Sequence, residues 1–204
     1  MLSMAAFVVL SLLVGAGKTQ GVDDAARELF RPNDVWGVNQ EFFGHFVDAL
    51  APPVTSSLLL VAGGVSAWSL RSMRPVVFAG SSLCVAASLT IAIKVALHRP
   101  DPHGEPSWLG GAYPSGHVLI LLISLGCALL VLRATTWWLW MGVAFAGLTL
   151  AVSLLFLTMH FLTDIVGGAL LGITLLVALH NAQNYALGTQ EKCRVLSAER
   201  DRQA

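Results

Sequence analysis

The chain has 204 residues, of which 55% are hydrophobic and only 12% charged, and its mean hydropathy is +0.71. Soluble domains carry roughly 25% charged residues, so an ordinary soluble enzyme is excluded and an integral membrane protein is predicted. Twelve Lys and Arg balance twelve Asp and Glu, which gives no electrostatic reason to expect nucleic acid as a partner. The three cysteines, Cys84, Cys127 and Cys193, include no C-x-x-C pair, which argues against a disulfide scaffold or a thiolate metal site.

In chain order, apolar segments lie at 1–17, 54–70, 76–97, 117–132, 137–157 and 161–179. Each is close to the roughly 17–25 residues that a membrane-crossing helix needs, and together they predict an all-α bundle of six transmembrane helices. The first segment has no basic leader and only a faint small-residue cleavage signal at Gly15-Ala16-Gly17, so it reads as a membrane helix rather than a cleaved signal. Residues 18–53 form an interfacial loop in which Val38, Phe42, Phe43, Phe46, Val47 and Leu50 recur at helical spacing. That pattern predicts an amphipathic helix lying in the membrane interface. Between the fifth and sixth segments no Pro or Gly punctuates residues 153–163, which leaves that boundary the least defined. Gly168-x-x-x-Gly172 predicts close helix packing. The membrane domain spans 1–182, and 183–204 is a polar tail of mixed charge, expected to be loosely ordered and cytoplasmic. With the N-terminus inside, seven cationic residues, Arg71, Arg74, Arg133, Lys192, Arg194, Arg200 and Arg202, fall in cytoplasmic segments against five outside, the sense of the positive-inside rule.

Six spans place Lys94 and Arg99 at the outer end of the third helix, Ser115, Gly116 and His117 at the outer start of the fourth, and His160 and Asp164 at the turn between fifth and sixth. All of them reach one face of the membrane. Ionisable groups at membrane depth are expensive and by default mark function. Pro114-Ser115-Gly116 opens a helix whose free N–H groups form an anion site, while Lys94 and Arg99 supply positive charge suited to phosphate. Asp164, one turn after His160, can fix its tautomer and leave the other nitrogen to attack phosphorus, with His117 protonating the leaving oxygen. The pattern therefore points to phosphoryl transfer, with His160, His117 and Asp164 catalytic and Lys94, Arg99, Ser115 and Gly116 binding phosphate. A zinc site built from His98, His103, His117, His160 and Asp164 is the competing reading of the same residues; no metal or other cofactor is expected.

These residues resemble the type 2 phosphatidic acid phosphatase (PAP2) superfamily of membrane lipid phosphatases over residues 94–172. Its P-S-G-H motif is intact at Pro114-Ser115-Gly116-His117. Its S-R-x5-H-x3-D motif is present with Ser153, His160 and Asp164, but Leu154 replaces the arginine. Its K-x6-R-P motif is shortened here, with four residues between Lys94 and Arg99-Pro100. The resemblance implies a phosphohistidine mechanism on a lipid phosphate or pyrophosphate, with isoprenyl pyrophosphate, phosphatidylglycerophosphate and phosphatidate as candidates. It implies a multi-pass protein of the cell membrane with its active site on the extracytoplasmic face. It also implies that the missing arginine binds phosphate, so that restoring it at Leu154 is expected to raise activity unless the surrounding pocket has been rebuilt with apolar groups that leave the guanidinium buried and unpaired. The rival expectation is a weakened or inactive relative that binds or transports lipid phosphates. Sequence leaves the oligomeric state open.

Overall fold

The computed structural model describes residues 2–104 and 111–203, the segment 184–203 by backbone alone. Among these residues all regular structure is helical. Helices α1 (Leu2–Gly15) and α2 (Gln20–Phe30) are followed by a 3-10 turn (Pro32–Asp34). Then come α3 (Val38–Ala49), α4 (Pro52–Leu70), α5 (Arg74–Leu97), α6 (Gly116–Val131), α7 (Trp137–Phe156) and α8 (Leu162–Gln203). The polar tail, expected to be loose, continues the backbone of α8; its side chains, Cys193 among them, lie outside the described residues.

Two helix ends explain where the apolar segments stop. Gly17, at φ +67°, closes α1. Its N–H reaches Val14 O (3.0 Å) and the Lys18 N–H reaches Leu13 O (2.9 Å), the paired bonds of a glycine C-cap. In the structure the small residues Gly15-Ala16-Gly17 form the end of this helix. At the end of α7 the same pair is made without glycine. Thr158 takes φ +54°, its N–H bonds Leu155 O (3.1 Å) and the Met159 N–H bonds Leu154 O (3.0 Å). This is the boundary that the sequence left undefined.

Among the described residues four helices are long and apolar enough to cross a membrane, Val38–Leu70 (which joins α3 to α4), Arg74–Leu97, Trp137–Phe156 and Leu162–Gln183, or five if the bent pair of α1 and α2 is one span, against the six expected. The other two fall short for a geometric reason. At 1.5 Å per residue, the 14 residues of α1 and the 16 of α6 reach only about 21 and 24 Å, against a hydrocarbon core of about 30 Å. α1 passes the test only together with α2, and that pair is bent by 93°. The segment 18–53 contains the helix expected from Val38 to Leu50, as α3, and a further helix, α2. α3 lies along α7, with Phe43 stacked on Phe156 at 4.2 Å and Gln40 Nε2 donating to Phe156 O.

α6 is the centre of the bundle, packed by α4, α5, α7 and α8, which suits a helix apolar on every side. Its Leu119, Ile123 and Cys127 join Phe7, Val14, Leu59, Ala79 and Tyr113 in one core cluster. Val118 and Leu121 join Val47, Leu150, Leu154 and Ile165 in a second. The site therefore stands at the end of the most buried helix, on a rigid base.

Candidate active site

α5 ends in a left-handed residue, His98 (φ 45°), whose N–H bonds Lys94 O at 2.9 Å. Pro100 then keeps Arg99 out of the helix, so the shortened spacing does not separate Lys94 from Arg99 across the helix. The chain returns at Gly111, where a Cβ would stand 3.1 Å from both Lys94 O and Arg99 N. Only glycine lets the two strands of chain pass so closely. Lys94, 7% exposed, donates from Nζ to the Gly111 and Ala112 carbonyls (2.5 and 3.4 Å).

Tyr113 is fully buried and stacks on Phe7 of α1, and its phenol shares a 2.9 Å hydrogen bond with Ser11. Burial raises the phenol above its usual pKa, and the Ser11 bond opposes that rise. Two residues on, Ser115 stands at the N-cap position of α6 without a side-chain cap bond, and the Ser115 N–H bonds the Asp164 carbonyl at 2.9 Å. α8 approaches this segment closely enough that a Cβ on Gly167 would stand 2.5 Å from the Tyr113 ring, and one on Gly168 2.5 Å from Ser115 O. These glycines lock the start of α6 to the first turns of α8.

A cavity of about 580 Å³ opens at this junction. Lys94, Asp101, Gly116, His117 and His160 line it with polar groups, one of them a carboxylate, while Ala87, Ile91 and Ile120 continue it as an apolar surface between α5 and α6. The His117 and His160 rings lie 5.8 Å apart, inclined by 69°. A volume in the usual range for small-molecule sites, with two imidazoles, an ammonium and a helix N-terminus at one end and apolar walls at the other, suits an anionic group on a greasy body.

Asp164, Arg99 and Ser115 stand behind this wall. Asp164 is fully buried; its Oδ2 accepts the Phe161 N–H at 3.0 Å. The same oxygen lies 3.6 Å from His160 Nδ1, beyond hydrogen-bond reach, and that buried nitrogen has no hydrogen-bond partner among the described residues. The contact expected between Asp164 and the imidazole is therefore at ion-pair distance rather than a hydrogen bond. Arg99 donates from Nη1 to Asp164 Oδ1 (2.6 Å) and Thr163 Oγ1 (2.7 Å) and from Nη2 to Asp23 Oδ2 (2.6 Å), while the guanidinium lies 4.3 Å from the Phe161 ring. Ser115 Oγ is buried without a partner.

Of the predicted residues, Lys94, Gly116, His117 and His160 share the cavity, and Arg99, Ser115 and Asp164 support it from behind. Leu154 is elsewhere, fully buried in the apolar cluster with Val118, Leu121 and Ile165. His98 and His103 are exposed and off the cavity wall. Among the described residues no three His, Cys, Asp or Glu side chains are grouped to hold a metal. Sequence reasoning missed Asp23, on α2 and 1% exposed. No spacing connects it to a motif more than seventy positions away, and its place in an apparent surface loop gave no signal.

Fold and composition together define a helical, multi-pass membrane protein. The sequence profile of the PAP2 superfamily matches residues 57–187, and the chain belongs to that superfamily. Its fold is similar to that in the crystal structure of the first transmembrane PAP2 type phosphatidylglycerolphosphate phosphatase from Bacillus subtilis. The TM-score is 0.76 at 15% identity, covering 90% of this chain and 94% of that one. No curated protein matches the sequence.

Proposed function

We propose that this protein is a lipid phosphate or pyrophosphate phosphatase working through a phosphohistidine. The observation that carries the reading is the pair of imidazoles on one cavity wall with Lys94, at the start of α6. His160 attacks phosphorus as the P–O bond to the leaving group breaks; His117 gives that oxygen its proton. His117 then takes a proton from the water that attacks phosphorus and breaks the P–N bond, releasing phosphate and restoring His160. Lys94 exchanges backbone carbonyls for phosphate oxygens, and the free N–H groups at the start of α6 hold the remaining negative charge. Arg99 and Ser115 support this phosphate position from behind the cavity wall, and Asp164 orients His160. The apolar end of the cavity suits an acyl or isoprenyl chain, so isoprenyl pyrophosphate, phosphatidylglycerophosphate and phosphatidate are the substrates to test. In this reading the chain crosses a cell membrane six times, with α1 and α6 as short spans, and the site faces outward.

A second reading is favoured by one observation: Leu154 leaves the site without the motif arginine, and Arg99 already faces two carboxylates. A site so short of free cations suits a protein that binds or transports lipid phosphates. Phosphate release by purified protein from a panel of lipid phosphates, beside His160→Ala, separates the two. Release that the variant abolishes supports the enzyme; binding without release by the parent protein supports the carrier.

A further inference from the structure

We propose that Asp23 is a positioning residue of this active site, acting through Arg99 and the first turn of α8 on Asp164 and His160. The inference rests on the phosphatase reading above. Asp23 lies in the first turn of α2, outside every motif, yet its carboxylate makes three hydrogen bonds at the heart of the site. Oδ1 accepts the Thr163 backbone N–H at 2.9 Å; Oδ2 accepts the Thr163 hydroxyl at 2.8 Å and Arg99 Nη2 at 2.6 Å.

The local reason is a missing cap. The residue preceding α8 is Phe161, which has no side-chain acceptor for the first free N–H groups of the helix. Asp164 turns back to the Phe161 N–H, and Asp23 reaches across from another helix to take the N–H of Thr163. Both carboxylates thus sit at the positive end of α8. Arg99 lies between them, with Nη1 on Asp164 and Nη2 on Asp23.

The chain of contacts therefore runs from Asp23 to Arg99 to Asp164, whose other oxygen stands 3.6 Å from His160 Nδ1. Every member is at most 12% exposed, so no water competes freely for the charges. Asp23 holds Arg99 off the cavity wall, as a brace for Asp164. Without that carboxylate, Arg99 is left to Asp164 alone, and the geometry that aims His160 at phosphorus is free to drift. A misplacement of about 1 Å in such a group costs on the order of 10²-fold in rate.

The test uses the full-length protein in detergent or vesicles, with phosphate release from a lipid phosphate as readout. Asp23→Asn keeps the shape and an acceptor for Thr163 but removes the charge facing Arg99. We expect kcat to fall by about 10- to 100-fold with KM changed less than about twofold, because the groups lining the cavity stay in place. A purely structural cap would lower thermal stability and leave kcat of the folded fraction untouched. The paired variant Asp23→Asn with Arg99→Gln removes both charges, and its activity should equal that of Arg99→Gln alone, since both residues lie on one path. Parental kcat in folded Asp23→Asn, or losses that multiply in the pair, would overturn the role. If Asp23→Asn alone does not fold, the comparison of the pair with Arg99→Gln decides. A parent protein inactive across the lipid panel overturns the phosphatase reading and this role with it, whereas an active parent indifferent to Asp23 overturns this role alone.

Discussion

At the scale of single residues, the two histidines carry different expectations. His160→Ala should abolish phosphate release, and rapid acid-free quenching of the parent protein with labelled substrate should trap an acid-labile phosphoprotein that the variant lacks. His117→Ala should slow turnover by about 10²- to 10⁴-fold, the usual contribution of a general acid or base. The loss should be smaller on pyrophosphates, whose leaving group departs as a stable anion; equal losses on alkyl phosphates and pyrophosphates would count against proton transfer by His117. At Leu154 the exception in the sequence-based expectation applies. A missing motif arginine suggests a vacancy waiting for charge, but the side chain is 0% exposed among Val118, Leu121, Leu150 and Ile165. Leu154→Arg should therefore destabilise the protein by about 3–5 kcal/mol, the penalty of an unpaired buried charge, seen as lost folded yield or a lower Tm. A folded Leu154→Arg protein with faster turnover would restore the original expectation. The residues of the cavity wall were legible in the sequence because their chemistry is rare at membrane depth, so His117, His160 and Lys94 announce themselves. Asp23 was not legible, since an aspartate in a polar stretch is unremarkable until the fold delivers it to Arg99.

Secondary-structure elements show a similar division. The long apolar helices α4, α5 and α7 were readable from composition, whereas the stop of α7 was not. It depends on Thr158 adopting a left-handed conformation that glycine or asparagine usually signals. That turn delivers His160 to the cavity. The contacts of α8 give a direct test of element packing. Gly168→Ala would set a Cβ 2.5 Å from the Ser115 carbonyl oxygen, a backbone atom with no rotamer to yield, whereas the space around Gly64 of α4 is open. Overpacking typically costs about 1–3 kcal/mol, so Gly168→Ala should lower Tm and reduce activity together as the start of α6 is displaced. Gly64→Ala should leave both near the parental values. Equal Tm for the two variants would show that α6 and α8 do not depend on this approach.

The molecule as a whole is harder to count than its helices are to find. Windows of apolar residues suggest six crossings; four helices are long enough to span by themselves, while α1 stops at a glycine cap and α6 is shorter than the hydrocarbon core is thick. Nothing in local composition distinguishes a short central helix, sheltered by four neighbours, from a full span. The outward placement of the site is tested by labelling. Cys193 should react with a membrane-impermeant thiol reagent only after cells are opened. An exposed His103→Cys, on the same side as the cavity, should react in intact cells. The opposite pattern would turn the site to the cytoplasm and require a substrate from the inner leaflet.

The close fit of α1 and α2 around the motifs has a consequence for how this protein can be divided or recombined. The superfamily profile begins at residue 57, downstream of Ser11, which holds the Tyr113 phenol, and of Asp23, which holds Arg99. A chimera that joined residues 57–187 to an unrelated N-terminal stretch would inherit every recognisable motif and lose the side chains that reach Arg99 and Tyr113 from α1 and α2. Its Arg99 would keep one of two carboxylates, and Tyr113 would lose both its hydroxyl partner and the Phe7 ring stacked on it. In this chain, the stretch that defines kinship and the side chains that pack against its motifs from the N-terminal side are encoded in different places.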